Sequence, residues 1–141
     1  MEGQATIHIN APADVVFALV SDVTRMGEWS PETTGCEWVD GATGPAVGAK
    51  FRGTNKLWFY TWSTTPTVTA CEADRLFAFD AGGTIWTYGF TEADGGTSVT
   101  ESFRVESRMS VVYSLAQRRG ALIKGMQKTL ERLKTAAEAL P

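Results

Sequence analysis

His8 is the only histidine among the 141 residues. In ATIHIN (Ala5–Asn10) it alternates away from Ala5, Ile7 and Ile9, which makes it a solvent-facing strand residue. Ser-His-Asp and Cys-His catalysis are therefore not serious readings. Cysteine is equally scarce. Cys36 and Cys71 have no histidine near them, so no cluster shows metal-ligand spacing and no metal site is expected. Two cysteines are too few for a disulfide scaffold. They read as reduced packing residues of a cytoplasmic protein, with an oxidised Cys36–Cys71 pair left open. No signal-like segment opens the chain. No apolar run approaches the ~20 residues needed to cross a bilayer, so no membrane insertion is expected. Net positive charge is also lacking: 13 Lys and Arg stand against 16 Asp and Glu. Nothing draws the chain globally toward phosphate backbones, and no nucleic-acid partner is expected. No Walker-type loop or GxGxxG occurs, since AGG and DGG are hairpin turns, and no cofactor is expected.

What is present suits one domain spanning 1–141. The strand at Ala5–Asn10 is followed by Pro12, which fits the first turn of a helix carrying DVVFALV. Asp22 is placed to cap a second short helix ending near Gly27. A strand from about Cys36 to Val39 leads into the loop GATGPAVG. Strands then follow at Lys50–Asn55, Trp58–Cys71, Leu76–Asp80, Thr84–Thr91 and Ser98–Val105. The short connections EADR, AGG and DGG join antiparallel neighbours. Pro66, inside the longest of these, implies an edge or a bulge. Val112, Leu115, Leu122, Ile123, Met126, Thr129, Leu130, Leu133, Ala137 and Leu140 then recur at three and four, as one amphipathic helix of seven or more turns. The fold class is α+β: a curved antiparallel sheet whose concave side holds the last helix.

KLWFYTWSTT (Lys56–Thr65) packs four aromatics into five positions. Alternation puts Trp58, Tyr60, Trp62 and Thr64 on one face, with Phe59 on the other. The same rule turns Phe77, Phe79, Trp86, Tyr88, Phe90, Val99, Phe103 and Val105 inward, and Phe51 with Gly53 and Asn55. Rings on a concave face do not make an exposed stacking platform for nucleic acid. They form either a packed core or the wall of a cavity, and periodicity does not choose between the two.

Glu101 lies between Val99 and Phe103 on an apolar strand face, where an isolated carboxylate is costly. It is a rim residue near a strand end or bulge, a cavity acid or ligand anchor, or half of an internal salt bridge. Arg119 falls on the apolar stripe of the last helix. It either snorkels to the end of the sheet or turns inward to pair with Glu101 or grip a ligand oxygen. Tyr60, Tyr88, Asn55 and Thr64 are further hydrogen-bonding candidates. Gly120 and Gly125 interrupt the helix; close packing, a tolerated surface position and room at a pocket mouth all account for them.

INAPADVVFALVSDVTRMGEWSP resembles the opening of the START-like, or SRPBCC, superfamily, and most of all its polyketide cyclase/dehydrase branch. GPAVGAKFRG, WSTTPTVT, TSVTESF and GMQKTLERLKTAAEA fit the same pattern in order. The resemblance implies a helix-grip fold: about seven antiparallel strands around a long C-terminal helix, with two short helices after the first strand and a largely apolar cavity. In such a cavity the residues that alternation turns inward, Trp58, Tyr60, Trp62, Thr64, Phe77, Phe79, Trp86, Phe90, Phe103 and Asn55, would hold a hydrophobic, aromatic or polycyclic ligand. Any catalysis would be that of a cofactor-independent polyketide cyclase, aromatase or dehydratase. Glu101 would then move a proton, and Arg119 or Tyr88 would steady an oxyanion. The alternatives are a non-catalytic lipid or small-molecule carrier and a co-chaperone-like interaction domain. The protein is expected to be a monomer or homodimer.

Overall fold

The computed structural model describes residues 2–140 apart from 107 and 108, and describes the side chains of all of these except 109–117. The expected apolar positions Val112 and Leu115 lie outside the described side chains. Strand β1 (Glu2–Ile9) leads into α1 (Ala13–Ser21) and a 3₁₀ helix, Val23–Glu28. Asp22 caps the latter, its carboxylate accepting from the Thr24 amide at 3.2 Å. There follow β2 (Thr33–Val39), β3 (Lys50–Leu57), β4 (Tyr60–Thr64), β5 (Thr67–Glu72), β6 (Leu76–Ala81), β7 (Thr84–Ala93), β8 (Gly96–Val105) and α2 (Met109–Glu138). Seven strands form one antiparallel path, β1-β8-β7-β6-β5-β3-β2, and β4 pairs with β3 beside it. This is the helix-grip arrangement.

The expected single strand from Trp58 to Cys71 does not exist. The chain reverses at Trp58–Phe59, so that Leu57 faces Tyr60 across a two-residue hairpin. It breaks again at Thr65–Pro66, where the Pro66 carbonyl accepts from the Phe51 amide at 3.1 Å. No Gly, Asn or Asp marks the first reversal, which removes the usual hairpin signal. Pro66 lacks the amide a continuous strand would need.

Helix α2 runs alongside β1 in the same direction. Arg119 lies at Glu2, Ile123 near Gly3, Lys134 at His8 and Glu138 at Asn10. Met126, Leu130, Leu133 and Ala137 form its buried stripe, at the spacing the sequence predicts. Leu140 is half exposed, because the helix has ended by Glu138. Gly125 lies against Pro31: a Cβ there would sit 3.5 Å from its Cγ. Among the described residues, a Cβ on Gly120 would meet nothing within 4 Å, which makes that exposed residue a tolerated surface glycine. His8 is half-buried, and its Nε2 lies 2.9 Å from the Ala93 carbonyl. Cys36 and Cys71 are both free thiols, so the pair left open does not form.

Candidate functional site

The register fixes what faces what. Opposite residues of an antiparallel pair share a face. One row across the sheet reads Ala5, Glu101, Tyr88, Phe77, Cys71, and the next reads Gly3, Phe103, Trp86, Phe79, Val68. Ile7, Val99 and Phe90 form a third. The expected inward set of β6, β7 and β8 is therefore brought together on one face. Phe77, Phe79, Tyr88, Phe90 and Phe103 are buried, and Trp86 is partly so. Trp86 lies against Phe103 with centroids 5.4 Å apart, and Phe51 against Phe79 at 5.2 Å. Phe90 meets Phe17 of α1 edge-on at 5.6 Å, which joins the first helix to this face. Trp38 extends the ring chain from Phe51 at 5.8 Å. Sequence reading missed Phe17 and Trp38, although Phe17 sits in the apolar run DVVFALV.

Glu101 is at the centre of this apolar surface, 5% exposed. The Tyr88 hydroxyl donates to its Oε2 at 2.9 Å. Its Oε1 is buried with no hydrogen-bond partner among the described residues. Burial pushes the carboxyl pKa up to about 8, against the smaller opposing effect of the Tyr88 hydrogen bond. At neutral pH most molecules hold the proton. Burial, with Glu101 next to it, also raises Tyr88 well above the ordinary phenol value, so Tyr88 stays a hydroxyl. Glu101 is therefore neither a rim residue nor half of a salt bridge. It is an interior acid supported on one oxygen only.

Other expected members of the site lie elsewhere. Arg119 is exposed, and its Nε donates to the Glu2 carbonyl at 3.0 Å. It lies level with Glu2, at the start of β1. Arg119 neither pairs with Glu101 nor joins the ring surface. Trp58 is 84% exposed at the hairpin turn and Tyr60 is 66% exposed, so neither lines the interior. Tyr60 and Trp62 stack on each other at 5.5 Å, and Trp62 is half-buried. Asn55 Oδ1 is taken by the Thr33 hydroxyl at 2.9 Å. Thr64 is half-buried opposite Gly53. Strand parity holds along this hairpin, but its far end extends beyond the core. Among the described residues, a cavity of about 610 Å³ opens beside the loop from Asp40 to Lys50, and one of about 200 Å³ beside Gly35 and Arg52. Glu101 and the β6–β8 rings line neither. Arg118, not singled out from sequence, ties α2 to Glu32 just before β2.

Among the described residues, no helix is long and apolar enough to cross a membrane. No curated protein matches the chain. Among solved structures, the chain is 34% identical to the Polyketide_cyc-like protein Cgl2372 from Corynebacterium glutamicum. That match covers 97% of this chain and 91% of that one, with a TM-score of 0.68. The di-domain ARO/CYC BexL from the BE-7585A biosynthetic pathway shares the fold at 17% identity and a TM-score of 0.79; all of this chain spans 51% of BexL. Major latex-like protein 151 from Panax ginseng shares it at 13% identity, covering 100% of this chain and 98% of that one, with a TM-score of 0.79. The family model described as polyketide cyclase / dehydrase and lipid transport matches residues 2–138. With the helix-grip sheet and a neighbour at 34% identity, that match over nearly the whole length means that the chain belongs to the polyketide cyclase/dehydrase and lipid transport family.

Proposed function

We propose that the protein binds a hydrophobic, aromatic or polycyclic small molecule against the inner face of the sheet, with a ligand oxygen hydrogen-bonded to Glu101. The observation that carries this reading is the unsatisfied Oε1 of a buried Glu101 whose other oxygen is held by Tyr88. An orphaned polar atom in an apolar wall is how small-molecule sites fix orientation. Phe77, Trp86, Phe90 and Phe103 supply the surrounding apolar contact. A protonated Glu101 donates to a carbonyl or hydroxyl oxygen, and a ligand that accepts this bond repairs the deficit left by folding.

The same group suits acid–base chemistry on such a ligand, because a carboxyl with a pKa of about 8 exchanges its proton near neutral pH. In a cyclase or dehydratase it would give its proton to a departing or developing oxygen. Tyr88 would hold the carboxylate left behind. The family match favours this second reading. The exposed position of Arg119 removes the expected cationic partner for an oxyanion and favours binding without turnover.

Native mass spectrometry of protein purified from its source tests the first reading. A co-purifying apolar small molecule supports it, and ligand-free protein that also binds no aromatic probe in titration defeats it. Glu101→Gln separates the two readings. Turnover lost with affinity kept marks an acid or base, whereas affinity lost in step with any turnover marks an anchor.

A further inference from the structure

Four residues at the β3–β4 turn expose apolar surface. Leu57 is 37% exposed, Trp58 84%, Phe59 93% and Tyr60 66%. The backbone sharpens the question. Trp58 has φ of +56° and Phe59 does not have a positive φ. The first position of a two-residue hairpin loop with positive φ favours glycine, and a bulky side chain there is strained. The chain thus places an indole where the turn would prefer no side chain, and the indole packs into no core. A local choice that works against the fold points to a role outside it.

We propose that this hairpin tip docks the protein onto an anionic lipid bilayer, with Trp58, Phe59 and Tyr60 entering the headgroup boundary and Lys56 facing the lipid phosphates. Three observations choose this partner. The residue types are those enriched at membrane interfaces, where an amphipathic ring has one apolar body and one wet edge. The charge is right locally although the protein is acidic overall. From Lys50 to Cys71 the chain carries Lys50, Arg52 and Lys56 and no carboxylate. Among the described residues Arg52 reaches Glu37 at 3.8 Å, Arg118 takes Glu32, and Lys56 has no acidic partner. Finally, the tip is small and projecting. Three rings expose roughly 500 Å², short of the ~800 Å² per partner that a stable protein interface buries. A narrow tip that enters a soft surface needs no such area. The proposal does not depend on the ligand reading, since Glu101 lies elsewhere on the sheet and either can fail alone.

Flotation with vesicles of equimolar phosphatidylcholine and phosphatidylglycerol, against phosphatidylcholine alone, is the test. The protein should float with the anionic vesicles, and brominated lipid should quench its tryptophan emission. Trp58→Gly/Phe59→Ser should weaken partitioning by at least about tenfold and abolish that quenching. Glycine suits the positive φ, so this variant should melt no lower than the wild type. Lys56→Glu should lower binding to the anionic vesicles. Failure of the wild type to bind either vesicle, or equal binding by the double variant, overturns the proposal. Equal binding to both vesicle types overturns the anionic assignment. A wild-type dimer in sedimentation that the double variant converts to monomer makes the patch a protein interface instead.

Discussion

The Glu101 carboxyl links structure to pH. Its pKa is about 8 in the folded protein against an ordinary 4.5. The folded state therefore binds the proton more tightly than the unfolded state between those values. Stability falls as pH rises through that window and levels above about 8. Urea melts at about pH 5 and about pH 9 should show the loss, and Glu101→Gln should flatten it. A pH-independent wild type would mean that the carboxyl is solvated. Tyr88→Phe removes the one hydrogen bond to Glu101 and should raise its pKa further, detectable by carboxyl infrared titration. Burial also pushes the Cys36 thiol up to about 11. Cys36 should react with a disulfide reagent in the folded protein far more slowly than in denaturant, because so little thiolate is present.

At the scale of elements, removing a glycine at one position and introducing one at another should both stabilise. Gly120 is an exposed helix residue with open space around it, so Gly120→Ala should stabilise α2 by about 1 kcal/mol in thermal or urea unfolding. Trp58→Gly should also stabilise, by roughly 1 kcal/mol, by relieving the positive φ at the hairpin. How much of this was legible in the sequence follows from which physics is periodic. Strand alternation placed Phe77, Phe79, Trp86, Tyr88, Phe90 and Phe103 on one face, and with them Glu101, because residue parity survives any error in the strand ends. The periodicity of α2 found Met126, Leu130 and Leu133 for the same reason. It could not choose between the two orientations of Arg119, which lies at the end of the sheet against the Glu2 carbonyl. The reversal at Trp58–Phe59 escaped because it uses none of the residues that normally enforce a turn. That is also why it bears on function.

At the scale of the whole molecule, α2 fastens along β1 and into the core. Leu130 and Leu133 are essentially inaccessible in the core that includes Ile9 and Val16. Leu130→Ala should cost about 2–5 kcal/mol, read from the shift in the urea midpoint. An unchanged midpoint would mean that the helix is not packed there. One consequence concerns synthesis. Residues 2–9 pair with 97–104, and Leu133 closes the same core. On the ribosome, β1 therefore has no sheet partner until β8 has been made. Closing the sheet then takes one long loop closure, and until it happens β1 is the natural client of a chaperone.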